Sequence, residues 1–263
     1  MNDLDLLNMM IKDHLKQDSL YQLTNYWKYY EKSFIRHLKK HGIDFKHRAF
    51  HSMGAVKSVD RTKMYDDILC YLEKYVDMNS VKTIVELGFG GGQQTEIIKE
   101  RYPDISFCLF DIPPMLYVGE QLLKEKYPDD VVGYSETKEK LRPPFDFESG
   151  KIYIFGNWLF PLIQYISVDL FINAGSFQEM EKDVVSNYLW YVNFSAGNVF
   201  LYECMDSVHG VKKANYKNNI ISNSFGVLDN VCLREYVSGL VGFDLVDLCV
   251  YGYPYSLSFW KKK

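Results

Sequence analysis

Between an apolar run ending at Leu87 and a helical pattern beginning near Gln94, residues 86–92 read ELGFGGG. A strand that gives way to a helix through glycines opens a βαβ unit. Glycine admits positive φ and lets a ligand approach bare main chain, and the following helix presents free N–H groups and a partial positive charge to an anion. Further β-rich runs at 106–111, 151–155, 169–173 and 199–204 follow the first at 82–87, separated by helical patterns at 94–101, 114–126 and 179–194. Prolines suited to a first helical turn start the second of these helices. Such alternation requires parallel strands joined by crossover helices. The last two runs, 243–251 and 256–262, are joined by 252–255 alone, a connection that permits only an antiparallel pair. The expected fold is α/β: a doubly wound, Rossmann-like sheet of seven strands with the last strand antiparallel.

Ahead of the sheet the pattern is helical. Leu6, Leu7, Met10, Ile11 and Leu15 recur at helical spacing, as do Trp27, Tyr30, Phe34, Ile35 and Leu38. After an irregular stretch at 41–54, Met64, Ile68, Leu69, Leu72 and Val76 resume it. Residues 1–78 therefore read as a helical N-terminal extension or lid, and 79–263 as the ligand-binding α/β domain. A formal charge of -4 lacks the excess of Lys and Arg that binding a phosphate backbone needs, which argues against nucleic acid as a partner. The five cysteines are odd in number and widely spaced, without a C-x-x-C pair, which fits a reducing, cytoplasmic compartment. His47 and His51 lie four apart but no nearby carboxylate or cysteine completes a set, so no metal is expected. The N-terminus has no signal-peptide pattern, and no run reaches the ~18 apolar residues of a membrane span, so integral membrane contact is not expected.

A dinucleotide loop of the G-x-G-x-x-G kind is not met: counting from Gly88 puts Gln93 at the third glycine, and counting from Gly90 puts Thr95 there. What stands is E-x-G-x-G-x-G, at Glu86, Gly88, Gly90 and Gly92, which resembles the first motif of class I S-adenosylmethionine-dependent methyltransferases. The apolar run Phe107-Cys108-Leu109-Phe110 ends in Asp111 and continues Ile112-Pro113-Pro114; the fourth run ends Asn173-Ala174-Gly175-Ser176-Phe177-Gln178-Glu179-Met180. Together ELGFGGG, FDIPP and SFQEM resemble a family of bacterial sugar O-methyltransferases, over residues 86–180. The resemblance implies S-adenosylmethionine as cofactor and S-adenosylhomocysteine as product. It places Glu86, Gly88, Phe89 and Gly90 around the methionine part, Asp111 on both ribose hydroxyls with Ile112 beside it, and Asn173 at the carboxyl end of the fourth strand. Asn157 stands where some O-methyltransferases carry an acid against the adenine amino group; an asparagine still bonds that edge, with Trp158 as a stacking face, the alternative being a turn asparagine and a core tryptophan.

Methyl transfer to a sugar hydroxyl needs a base within about 3 Å. Glu179, following the fourth strand, is the first candidate, with Glu203 at the end of the fifth and His209 in the loop beyond as the others. Each has a structural alternative: a helix first-turn carboxylate for Glu179, an ion pair for Glu203 and a surface-loop histidine for His209. The polar segment 206–226 is a candidate cover for the acceptor. Tyr26, Trp27, Tyr29 and Tyr30 offer either stacking surface for a sugar ring or helix packing. The implied partner is a small-molecule or glycan substrate, and a homodimer is admissible. Two rivals stay open: a nicotinamide-dependent oxidoreductase, and a methyltransferase-like protein that binds cofactor or partner without catalysis.

Overall fold

A computed structural model describes residues 3–23, 25–43, 59–139, 145, 147–203, 239–251 and 255–263. His209 with the rest of 206–226, and His47 and His51, lie outside the described residues, as do the side chains of Tyr26, Tyr29 and Tyr30. Helices α1 (Asp3–His14), α2 (Asn25–His41) and α3 (Val59–Leu72) precede the sheet. Then come β1 (Thr83–Leu87), α4 (Gln93–Arg101), β2 (Ser106–Asp111), α5 (Pro113–Lys126), β3 (Val131–Val132), α6 (Tyr134–Thr137) and β4 (Ile152–Gly156). A 3-10 run (Asn157–Tyr165) leads to β5 (Val168–Ala174), a 3-10 turn (Phe177–Glu179), α7 (Lys182–Ser195), β6 (Ala196–Glu203), β7 (Phe243–Val250) and β8 (Ser256–Lys262).

The strands form one sheet in the order β3-β4-β2-β1-β5-β6-β8-β7. All neighbouring pairs are parallel from β3 to β6. β8 runs antiparallel to both β6 and β7, so it is the reversed strand, slotted between two that point the same way. The chain order turns back at the β1/β5 boundary: β2, β4 and β3 spread to one side of β1, and β5 onward to the other. Open α/β sheets bind ligands at such a point, outside the carboxyl ends of the strands.

Two details depart from the sequence reading. The sheet has eight strands among the described residues rather than seven, because Val131 and Val132 pair with Ile152 and Tyr153 at the edge. Two residues are too few to show an alternating pattern. The helix expected over 179–194 begins only at Lys182, because Met180 and Glu181 are extended, with ψ of 149° and 156°. Glu179 therefore sits on a separate short turn and is not a first-turn helix carboxylate.

Both faces of the sheet are apolar, as expected of parallel strands covered on each side. Alternate residues point to opposite faces. Ile84, Phe107, Leu109, Ile152, Ile154, Leu170, Ile172 and Phe200 face one cluster, while Val85, Cys108, Phe110, Phe155, Phe171, Val199 and Leu201 face the other. The second face is covered by Phe160 of the 3-10 run and by Val185, Tyr188, Leu189 and Val192 of α7. The first is covered by Ile98 of α4, by Leu116 and Val118 of α5, and also by Leu6, Leu7, Met10, Phe34, Leu38, Ile68 and Leu72 of α1 to α3. The N-terminal helices thus share the sheet's own core.

Candidate active site

The glycine loop leaves β1 and enters α4 with three alternate glycines in the left-handed region: Gly88 at φ 78°, Gly90 at 57° and Gly92 at 79°. No other residue type adopts positive φ among the described residues, so the bends fall on Gly88, Gly90 and Gly92, while Phe89 and Gly91 between them keep negative φ. Close approach adds a second requirement. A methyl on Gly88 would overlap the Ser176 side chain, and one on Gly92 would overlap Leu123 of α5. The loop is anchored by Gly88 N–H donating to the Phe110 carbonyl at 2.8 Å.

Asp111, at the tip of β2, faces this loop. Its Oδ2 accepts from Gly90 N–H at 2.9 Å and its Oδ1 from Ile112 N–H at 2.8 Å. Burial still pushes the carboxyl up to about 7. Glu86 lies deeper: its Oε2 accepts from Thr95 Oγ1 at 3.2 Å, and burial, with the Asp111 charge adding to it, pushes it up to about 8. Phe89 is buried beneath α5, where Gly119 makes room for it; a methyl there would overlap the Phe89 ring and the Gly90 carbonyl oxygen.

Across the β1/β5 boundary, Asn173 is fully engaged. Its Nδ2 donates to the Leu87 carbonyl at 2.9 Å and to Ser176 Oγ at 2.7 Å, and its Oδ1 accepts from Phe177 N–H at 3.0 Å. It ties the ends of β1 and β5 together and shapes the turn between them. Glu203, wholly buried at the end of β6, holds the same turn from the other side: its Oε1 accepts from Gly175 N–H at 3.0 Å and Phe177 N–H at 3.4 Å. Burial raises its carboxyl well above the usual range. Among the described residues no ion pair holds it; backbone N–H groups meet its Oε1, and its buried Oε2 has no hydrogen-bond partner.

Glu179 stands at the end of that turn, partly exposed, and its Oε2 accepts from the Trp27 indole N–H of α2 at 3.1 Å. Burial, with a further push from the Asp111 charge, raises it to about 8. At the tip of β4, Asn157 Nδ2 donates to the Tyr21 carbonyl at 2.9 Å and to Tyr188 Oη at 3.0 Å, while its buried Oδ1 has no hydrogen-bond partner among the described residues. Trp158 is buried edge-on to Tyr134, with the His14 ring of α1 5.4 Å away. His14 Nε2 meets the same Tyr21 carbonyl at 2.7 Å.

The fold thus brings the glycine loop with Glu86 and Phe89 beside Asp111 and Ile112 at the tip of β2, and ties it through Asn173 to the turn that carries Glu179 and rests on Glu203; Asn157 and Trp158 follow the tip of β4. His209 is outside the described residues. Sequence reasoning missed Thr95, Gly119, His14 and Tyr21 as parts of this arrangement. Only Gly119 left a signal, a glycine inside a helical pattern. Among the described residues no group of three or more His, Cys, Asp or Glu is placed to hold a metal ion, and no helix is long and apolar enough to cross a membrane.

No protein-family model matches the chain, and no curated protein matches it. Solved structures do. The mitomycin 7-O-methyltransferase MmcR is 13% identical with a TM-score of 0.54, over 99% of this chain and 67% of that one. The magnesium protoporphyrin IX methyltransferase ChlM from Synechocystis PCC 6803 is 9% identical with a TM-score of 0.53, over 91% and 97%. The PH0226 protein from Pyrococcus horikoshii OT3 is 15% identical with a TM-score of 0.56, over 84% and 100%. At these identities the likeness is one of fold, and the fold is the Rossmann-like α/β sheet of methyltransferases.

Proposed function

We propose that the chain is an S-adenosylmethionine-dependent O-methyltransferase acting on a small-molecule or glycan hydroxyl, with a sugar of a bacterial surface glycan as the acceptor class. One observation carries this reading: at the β1/β5 switch point, a loop bent at three left-handed glycines faces a buried aspartate on the neighbouring strand. The residues fit the cofactor. After accepting from Gly90 and Ile112, an ionised Asp111 retains lone pairs for a ribose diol. Asn157 Oδ1, buried without a partner, is an acceptor suited to an exocyclic amine. The free N–H groups opening α4 suit a carboxylate. MmcR and ChlM are both named for methyl transfer, and the ChlM structure holds bound S-adenosylhomocysteine, which supports the same cofactor here.

When bound, this cofactor supplies a methyl group already activated on a sulfonium. The chain's remaining tasks are to hold the acceptor in line and to take its proton. Glu179 is the base in this reading, because Glu203 is wholly buried under the turn, with its Oε1 taken by backbone N–H groups, whereas Glu179 is partly exposed. Residues 1–78 serve as a lid: α1 covers the tip of β4 through His14, and α2 reaches Glu179 through Trp27. The free thiols of Cys70, Cys108 and Cys249 suit a reducing cytoplasm. A sugar acceptor rests on the likeness of SFQEM to the sugar O-methyltransferases.

Thermal shift tests the cofactor. S-adenosylhomocysteine at a hundredfold excess over Kd is expected to raise Tm by about 5–10 °C, and NAD to leave it unchanged. Stabilisation by NAD alone would sink the reading. Transfer of labelled methyl to a bacterial surface glycan, absent with S-adenosylhomocysteine in excess, tests the acceptor and excludes a non-catalytic binder.

A further inference from the structure

We propose that Trp27, on the N-terminal helix α2, is the positioning residue for Glu179, orienting its carboxylate so that Oε1 is left to meet the proton of the acceptor hydroxyl. This rests on the reading of Glu179 as the proton acceptor of a methyl transfer.

The backbone beneath Glu179 is fixed. The 3-10 turn is held by Asn173 and Glu203, and Glu179 N–H donates to the Ser176 carbonyl at 3.0 Å. Its side chain is held differently. Among the described residues its hydrogen-bond partner is the Trp27 indole, 152 residues away in the chain. An indole N–H only donates. It can bond a carboxylate in either oxygen's lone pairs but offers nothing to a carboxylic acid proton, so the contact favours the ionised form.

The surroundings of Glu179 otherwise oppose that form. Burial is the largest influence and the Asp111 charge at the tip of β2 adds to it, with no cation among the described residues to counter them; the carboxyl stands at about 8 with Trp27 as the lowering influence. Trp27 also packs against the core cluster on the first face of the sheet. A ring that served packing alone would need no N–H aimed at a carboxylate. The pairing makes the helical N-terminus part of the reacting centre.

The test is an NMR titration of protein labelled with 13C at the glutamate carboxyls, the Glu179 resonance being the one lost in Glu179→Gln. Trp27→Phe keeps the ring and removes the N–H. The expected result is a Glu179 midpoint about one unit higher than in the wild type. Below that midpoint, methyl transfer should fall roughly tenfold in kcat/KM and recover at alkaline pH. An unmoved midpoint, or a loss equal at every pH, would overturn the proposal and leave Trp27 a packing residue. If Trp27→Phe does not fold, the wild type still decides: the Trp27 indole N–H proton should titrate with the Glu179 midpoint and cease to do so in Glu179→Gln. An indole resonance indifferent to Glu179 overturns the pairing. Failure of the wild type to bind S-adenosylhomocysteine in calorimetry would remove the methyltransferase reading instead, whatever the midpoints show.

Discussion

Asp111 accepts two backbone N–H groups and yet is pushed up to about 7, so desolvation outweighs the two hydrogen bonds at this site. A ligand that brings hydroxyl donors adds to the side that is losing. Removing a hydrogen bond to a charged group costs about 1.5–3 kcal/mol, so Asp111→Ala is expected to weaken S-adenosylhomocysteine binding about 10- to 150-fold by calorimetry; unchanged affinity would refute its role. Glu86 yields a prediction about stability. Its carboxyl titrates near 8 in the folded protein and near 4.5 as an ordinary glutamate, so between those values the folded state holds a proton that unfolding releases. Stability from this group is present below about pH 4.5 and is lost as pH rises through about 8. Glu86→Gln should therefore lose less Tm between pH 5 and pH 8 than the wild type, as scanning calorimetry can read, whereas parallel curves would count against the shift. The glycines and Asp111 were legible in the sequence because positive φ and a carboxylate ending an apolar strand leave traces in local composition. The engagement of Asn173 and Glu203 with the turn was not, since a side chain that bonds backbone N–H groups imposes no spacing on the residues it meets. The Trp27–Glu179 pair was hidden for a plainer reason: nothing local relates two residues 152 apart.

At the scale of elements, the central parallel strands were readable because they are apolar on both faces and bounded by polar or glycine-rich turns, as in Phe107 to Phe110 or Leu170 to Ile172. β3 escaped because two residues have no period. The start of α7 was misplaced for a different reason: Glu179, Glu181 and Asp183 all look like first-turn acids, and only the extended backbone of Met180 and Glu181 separates turn from helix. Helix α5 shows propensity and packing in opposition. Gly119 lies inside it, and alanine there would favour the helix by about 1 kcal/mol. The added methyl would meet the Phe89 ring and the Gly90 carbonyl oxygen, and a backbone atom cannot swing aside as a flexible side chain can. Overpacking of this kind typically costs about 1–3 kcal/mol, so it offsets the helical gain or exceeds it. Gly119→Ala is expected to lower Tm by up to about 8 °C and to weaken cofactor binding, because the loop that moves is the one proposed to meet the ligand. A variant more stable than the wild type would mean that propensity wins and that α5 does not brace the loop.

At the scale of the whole molecule, the question is whether the N-terminal helices are an added lid or part of the fold. Their proposed role as a cover is one matter, and their thermodynamic standing is another. Leu6, Leu7, Met10, Phe34, Leu38, Ile68, Leu69 and Leu72 are all buried, and they lie in the same cluster as Ile84 of β1, Phe107 of β2 and Leu116 of α5. Each such side chain is worth about 1.5–3 kcal/mol on burial, and their sum is at least comparable with the ~5–15 kcal/mol that holds a typical domain together. Polar ties run the same way: Arg101 of α4 bonds Glu73 and Asp66 at 2.9 Å each, Tyr71 Oη donates to Asp247 of β7 at 2.8 Å, and Tyr134 Oη donates to Asp13 of α1 at 2.9 Å. A chain cut to residues 79–263 would keep α4 and α5 on the first face of the sheet but bare the part of it that α1 to α3 cover, and such a sheet needs both faces covered. It is therefore expected to lose its near-ultraviolet circular dichroism and its cooperative melt while keeping far-ultraviolet signal and binding a hydrophobic dye. A sharp melt and intact S-adenosylhomocysteine binding by the fragment would show instead that α1 to α3 are a detachable cover, and that the first face of the sheet is stable without them.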